Sequence, residues 1–167
     1  AGEVDVSVDD GLVVTSRDGR FSMDLGARLH VDFTQHAGES ALATAIDGVR
    51  VRRARIELGG RFYDDWRWAA ETDFAGNRVS VKDFWLSYRG FDGLSLTVGH
   101  QKQPYSLAIE MSSNDIPFVE RSIDAFLLFP FVDRAVGARL DTSGEHWFAA
   151  AGVYGETFVQ SAAGEDG

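Results

Sequence analysis

The 167-residue sequence contains no cysteine and only three prolines. Disulfides, thiolate metal sites and cysteine nucleophiles are therefore excluded. The sequence also lacks any run close to the ~18 to 20 apolar residues that a transmembrane helix needs. If the chain crosses a bilayer, it must do so as strands of a closed barrel, because only helices and closed barrels satisfy all backbone polar groups in lipid.

Positive charge is scarce as well. Sixteen Lys and Arg face 26 Asp and Glu, which gives a net charge of -10, so we expect no nucleic-acid partner. There is no Gly-x-Ser-x-Gly element and no phosphate-binding Gly-Lys-Ser/Thr loop, and the four histidines lack metal-ligand spacing. We therefore expect no enzyme activity, no cofactor and no metal. The first residues lack a charged n-region and an apolar h-region, so we expect no signal peptide within the sequence.

Residues 21–36 alternate strictly between apolar and polar side chains. The residues on the apolar face are Phe21, Met23, Leu25, Ala27, Leu29, Val31 and Phe33. Strands of soluble sheets usually span ~5 to 6 residues, whereas this alternation is long enough for a membrane crossing. The pattern predicts a barrel strand with a lipid-facing side and a water-facing side.

Six further strands are predicted at about 53–62, 66–74, 80–88, 94–99, 135–141 and 146–154. Residues that pair across a hairpin must lie on the same face of the sheet, and a three-residue turn at 63–65 satisfies this condition. It predicts that Phe62 pairs with Trp66 and Arg55 with Asp73. The aromatic residues near this turn fit an interfacial girdle or the aromatic core of a soluble sheet. Which face of the last strand is apolar stays open.

The predicted connections are long, short, short, short, very long and short in chain order. Outer-membrane barrels have short periplasmic turns and longer outer loops, and only the connection at 75–77 is shorter than this rule predicts. The sequence predicts an all-β, antiparallel, up-and-down transmembrane β-barrel fold. We divide the chain into a periplasmic lead-in (1–20), five barrel strands (21–100), a constriction-type loop (101–134), and two further strands with a truncated loop (135–167). A short helix is predicted within the long loop, at about 117–126.

Eight short motifs occur in order along nearly the whole chain. They are LGARL (25–29), VRRARIEL (51–58), DFAGN (73–77), KD (82–83), YRGFDG (88–93), VG (98–99), SSND (112–115) and FVER (118–121). In these motifs the sequence resembles the phosphate-selective porin O and P family. The resemblance implies a sixteen-stranded barrel in the bacterial outer membrane, a homotrimer, with the long third loop folded into the lumen.

Seven strands cannot seal such a barrel, because an open sheet edge in lipid leaves backbone groups unsatisfied. We therefore expect the sequence to be an N-terminal portion, completed by the rest of its chain or by partner chains. The expected surroundings are outer-membrane lipid and lipopolysaccharide, and the expected solutes are small anions.

An anion-preferring pore needs fixed positive charge in a narrow space, and arginine binds phosphate oxygens bidentately. Alternation turns Arg53 and Arg55 toward the lumen and Arg52 toward lipid. The resemblance maps the family's basic ladder onto Arg28, Arg52 and Arg53, and thus implies a bulge at Arg52. We predict an anion pathway along these four arginines. The alternative is a rim of arginines that contacts lipopolysaccharide phosphates.

The resemblance also assigns the constriction loop residues. They are Ser112, Ser113, Asn114, Asp115, Glu120 and Arg121. In phosphate-selective members a lysine follows the paired serines, whereas here Asn114 follows them. General anion or mixed small-solute permeation, with phosphate among the solutes, is thus predicted rather than strict phosphate selectivity. The alternatives are a structural component or anchor of an outer-membrane assembly without conductance, and a soluble ligand-binding barrel.

Overall fold

The computed structural model describes residues 4–8, 11–35, 48–112 and 133–155, together with the single positions 115, 118, 123 and 127. These residues form one antiparallel sheet of nine strands, in which each strand pairs with its neighbours in sequence. The strands are β1 (Val4–Ser7), β2 (Leu12–Ser16), β3 (Phe21–Thr34), β4 (Gly48–Phe62), β5 (Trp66–Asp73), β6 (Ser80–Phe91), β7 (Leu94–Lys102), β8 (Arg134–Ser143) and β9 (Phe148–Tyr154). Among the described residues, no helix has the length and apolar character needed to cross a membrane.

All seven predicted strands are present, but the count is nine rather than seven. The segment 1–20, predicted as a lead-in, contains β1 and β2, and β2 pairs with the first residues of β3. The sequence did not indicate these two strands, because strands of four and five residues are too short to show a membrane-length alternation. The lead-in therefore extends the sheet.

The β4–β5 hairpin has the register that parity predicts. Phe62 lies opposite Trp66 and Arg55 opposite Asp73. Tyr63, the first residue of the turn, has a positive φ of 51°. The short β5–β6 connection contains a 3₁₀ turn at Ala75–Asn77.

Among the described strands, three register shifts interrupt the alternation. One of them, between Tyr88 and Phe91 of β6, lies beside the β6–β7 turn. Between β3 and β4, His30 pairs with Arg53 and Val31 with Val51, so Arg52 is the extra residue. The bulge implied by the resemblance is confirmed. Between β5 and β6, the register shifts in the same way around Lys82, because Glu71 pairs with Asp83 and Thr72 with Val81. A bulge of this kind lets two consecutive side chains turn to one face.

The apolar face of the sheet is exposed, and much of its polar face is buried. Outward apolar side chains are bare, such as Leu29 at 67% and Phe33 at 80%, while Ser87 is 1% and Gln101 5% exposed on the opposite face. Among the described residues, only Ile109 and Ala135 are buried hydrophobics. A soluble sheet buries its apolar face, so this inversion disfavours the soluble-barrel alternative and favours lipid around the apolar face.

Replacing Leu29 with arginine puts a charge at mid-height of the apolar face. A basic residue at the bilayer midplane costs about 2–4 kcal/mol, and near the interface about 0–1 kcal/mol. We therefore expect Leu29→Arg to lower the yield of folded protein in lipid vesicles, measured by heat-modifiable gel mobility. Phe21→Arg, close to the aromatic end of the same strand, is the depth control. Equal yields for both variants would contradict a lipid-covered face.

An aromatic row crosses the outer face at one end of the sheet. Consecutive ring centroids lie 5.4 Å apart for Phe21 and Tyr63, 5.7 Å for Phe62 and Trp66, 4.9 Å for Trp66 and Tyr88, and 5.2 Å for Tyr88 and Phe91. Tyr63 is 55% and Phe21 48% exposed. Exposed, contacting rings at one strand end fit an interfacial girdle and not a core.

The chain after β7 turns onto the polar face. Its helix α1 (Leu107–Glu110) has Ser106 as the N-cap, whose side chain accepts a hydrogen bond from the Ile109 amide. Ile109 is only 1% exposed and lines the same space as residues from six of the strands. The helix predicted near 117–126 falls mainly outside the described residues and is not confirmed.

Pairing with β8 decides which face of β9 is apolar. Tyr154 pairs with Gly137 and Gly152 with Arg139, which places these β9 residues on the polar face. Val153, 81% exposed, lies on the apolar face with the alternate alanines. The consecutive alanines carry no polarity signal, so only pairing with β8 decides their orientation.

Candidate functional site

A cavity of about 430 Å³ lies between the polar face of the sheet and α1. Its lining combines charges of both signs with Ile109 and Ser112. The basic lining residues are Arg28, Arg53, Arg55, Lys82, Lys102 and Arg134, and the acidic ones are Glu57, Glu71, Asp83, Glu110 and Asp133. Residues from β3, β4, β5, β6, β7 and β8 thus converge on one space.

Charges of the same sign stand directly opposite each other in this part of the sheet. Arg28 pairs with Arg55, and Glu57 with Glu71. The ion pairs therefore form on diagonals, with 2.6 Å between Arg28 Nη2 and Glu57 Oε1 and 2.6 Å between Arg55 Nη1 and Glu71 Oε1. These diagonals relieve the repulsion that directly opposed like charges would cause.

Arg55 also reaches the end of β5. Its Nε donates to Asp73 Oδ2 at 2.8 Å, and Asp73 Oδ1 accepts from the backbone amides of Ala54 and Ala75 at 3.2 and 3.0 Å. One guanidinium thus ties β4 to β5 and to the turn that follows. This makes Arg55 a fixed part of the wall.

The bulge at Arg52 gives the neighbouring arginines separate partners. Arg52 Nε lies 3.3 Å from Asp32 Oδ1, and Arg53 Nη1 lies 3.3 Å from His30 Nδ1. Arg50 also contacts Asp32, at 3.4 Å, but its side chain is 75% exposed. Arg52 and Arg53 therefore both lie on the polar face, while of these only Arg53 lines the cavity.

Three cavity residues that carry positive charge were not among the predicted site residues. Arg134 forms a two-pronged contact with Asp83, at 3.1 and 3.0 Å, and a further one with Asp133 at 3.2 Å. Lys102 donates to the Glu110 and Met111 carbonyl oxygens. Lys82 enters the cavity because its bulge turns it inward. The motif at 82–83 includes Lys82, but nothing in the sequence predicted that its side chain points toward the polar face.

The predicted constriction residues are only partly placed. Ser112 lines the cavity, and Asp115 is exposed. Ser113, Asn114, Glu120 and Arg121 lie outside the described residues, so their assignment stays a prediction. The structure thus brings Ser112 together with Arg28, Arg53 and Arg55 in one cavity.

Comparison with known proteins gives the family. The sequence profile described as phosphate-selective porin O and P matches residues 23–166. Porin O of Pseudomonas aeruginosa is 29% identical over 126 residues, which cover 72% of this chain and 29% of that protein. The chain therefore spans less than a third of the length of this curated relative.

The matched residues run from β3 through β9 and beyond, and so include every strand that lines the cavity. Proteins of this family are porins of the bacterial outer membrane. The outward apolar face and its aromatic row agree with that location. The chain belongs to the phosphate-selective porin O and P family of bacterial outer-membrane porins.

Proposed function

We propose that this chain forms part of the wall of an outer-membrane channel through which small anions, phosphate among them, diffuse passively. The observation that carries the proposal is the convergence of six basic side chains on one cavity under α1. In this proposal the sheet is closed into a sixteen-stranded barrel by further strands, and three such barrels form a homotrimer embedded in outer-membrane lipid and lipopolysaccharide.

The carboxylates of the cavity do not cancel its preference for anions. Each of the five has an arginine at ion-pair distance. Arg28 pairs with Glu57, Arg55 with Glu71, Arg139 with Glu110, and Arg134 with both Asp83 and Asp133. A carboxylate held against a guanidinium repels a passing anion less than an isolated one. The excess of basic over acidic lining residues then sets the local potential, which is weakly screened where water is confined.

Lys82 and Arg53 are the side chains we propose as anion contacts. Both come from bulged segments, and both line the cavity. Within the described residues, the Lys82 ammonium makes no hydrogen bond or ion pair, although the side chain is half-buried. A half-buried ammonium can exchange its hydration for oxygens of a passing anion.

Planar-bilayer recording in a salt gradient tests this proposal on the complete porin. A unit charge about 8 Å from a permeating ion contributes on the order of 1–2 kcal/mol at an effective dielectric constant of 20. We therefore expect Arg53→Gln and Lys82→Gln each to lower the anion-over-cation permeability ratio by roughly five- to thirtyfold. Arg20→Gln, in the exposed β2–β3 turn, removes the same charge outside the cavity and should leave the ratio unchanged.

A cation-directed reversal potential in the unmodified porin would overturn the proposal. So would equal ratios for the cavity variants and Arg20→Gln. Heat-modifiable mobility of each variant shows that a changed ratio does not come from misfolded protein.

The second candidate is a structural barrel component that anchors an outer-membrane assembly. The dense ion pairing across the polar face and the cover provided by α1 favour it, because both features stiffen and fill the wall. A correctly inserted protein that passes no current would support this candidate over the channel.

A further inference from the structure

The helix α1 is fastened to the strands through its last residue. The two guanidinium nitrogens of Arg139, on β8, contact the Glu110 carboxylate, one in a short contact with Oε1 and the other at 3.3 Å from Oε2. The two residues are 29 positions apart in sequence. A paired guanidinium–carboxylate contact is directional as well as charge-assisted.

The receiving side chain is itself held in place. Arg139 Nε donates to Asp141 Oδ1, two residues along β8, at 2.6 Å, and the Arg139 side chain is 13% exposed. The guanidinium therefore presents two nitrogens to α1 from a fixed position. Little rotamer freedom is lost when Glu110 binds it.

A lysine fastens the same end of the helix from the neighbouring strand. Lys102 Nζ, at the end of β7, donates to the backbone oxygens of Glu110 at 2.8 Å and Met111 at 3.2 Å. These are carbonyls that a short helix leaves without partners. Burial of Ile109 supplies an apolar contact beside them.

The Glu110–Arg139 contact also stands between two hollows on the polar face. Glu110 lines the 430 Å³ cavity, while Arg139 lines a separate hollow of about 640 Å³ with Trp85, Thr97 and Ser95. Lys102 borders both. The ion pair thus lies where the two spaces would otherwise join.

We propose that Glu110, Arg139 and Lys102 form a latch that fixes the start of the long β7–β8 connection against the wall and thereby sets the bore of the channel. This inference rests on the proposed channel function, and its three members act as positioning residues. When Glu110 is held, the long segment between β7 and β8 has a second attachment to the wall, eight residues after the end of β7 at Lys102. Release of the latch joins the two hollows and widens the path.

Single-channel recording tests the latch. We expect Glu110→Gln to raise the conductance about twofold and to increase open-channel noise, since pore width governs both conductance and selectivity. Glu145→Gln is the matched control, because it makes the same carboxylate-to-amide change in the β8–β9 turn, where the side chain is 89% exposed and lines neither hollow. Its conductance should stay at the unmodified value.

A second experiment replaces the Glu110–Arg139 contact with a covalent bridge. The chain has no cysteine, so Glu110→Cys combined with Arg139→Cys gives one reactive pair in this chain. A short bis-thiol reagent should bridge the two sites, because two long side chains hold the backbones apart. Bridging should return the widened double variant to the unmodified conductance. Equal conductance before and after bridging, or equal effects of Glu110→Gln and Glu145→Gln, would overturn the latch.

Limited proteolysis in detergent separates failure of the latch from failure of the channel. If the unmodified porin carries no current, the channel proposal fails. The latch still predicts that Glu110→Gln speeds cleavage between β7 and β8 severalfold, while Glu145→Gln does not. Identical cleavage rates in proteins with normal heat-modifiable mobility would refute the latch by itself.

Discussion

Replacement of Arg55 with methionine lowers the free energy of unfolding by about 3 kcal/mol, the low end of the range for removing one partner of a buried ion pair. The side chains of Arg55, Glu71 and Asp73 are between 10% and 13% exposed. Without the guanidinium, two carboxylates lie close together without their shared cation. We expect a lower urea midpoint for the porin in lipid vesicles, measured by tryptophan fluorescence.

Arg50→Met is the matched control for Arg55→Met. Both residues lie on β4 and pair with aspartate, but the Arg50 side chain is largely exposed. Surface ion pairs contribute about 0–1 kcal/mol. A similar midpoint shift for the two variants would show that the Arg55 network does not stabilise the wall.

Replacement of Gly99 with alanine has the other large expected effect. Gly99 has a φ of +128° in β7, and an added Cβ would overlap the Phe84 carbonyl oxygen and lie 2.7 Å from Trp85 Cα. These neighbours are backbone atoms of β6, so a side-chain rotation cannot relieve the overlap. Strain at positive φ costs about 1–2 kcal/mol, and overpacking costs about 1–3 kcal/mol more.

We therefore expect Gly99→Ala to fold into vesicles more slowly and to unfold at a lower urea concentration. Gly26→Ala, on the polar face of β3, is the control. Its nearest neighbour to an added Cβ is Glu57 Cβ at 3.6 Å, an ordinary contact, and its φ is not in the positive range. Equal midpoints for the two alanine variants would contradict a close approach of β6 and β7 at Gly99.

Local patterns explain why so much of the sheet is predictable. Phe21 to Phe33 alternate with polar residues because one side meets lipid and the other water, and this two-residue period is written directly in the sequence. Parity then fixes the β4–β5 register, so the pairs of Phe62 with Trp66 and of Arg55 with Asp73 follow without tertiary information.

The bulges mark the limit of that reasoning. One extra residue in a strand reverses the face on which every later residue of that strand lies. Alternation alone does not reveal the extra residue, and it therefore assigns Arg52 to the lipid-facing side. Only the family resemblance indicated its true direction. For Lys82, neither alternation nor resemblance indicated a bulge. Its inward position came from the pairing of β5 with β6.

The sequence by itself determined that the sheet has an outward apolar face and an inward polar face. It also determined the approximate bounds of seven strands, one hairpin register and the arginine-rich segment of β4, because each of these features depends on neighbouring residues. Only the tertiary structure decided the strands within 1–20, the diagonal ion pairs and the Glu110–Arg139 contact. Those features join residues that are distant in sequence, and their partners are selected by strand register and by the path of the chain after β7.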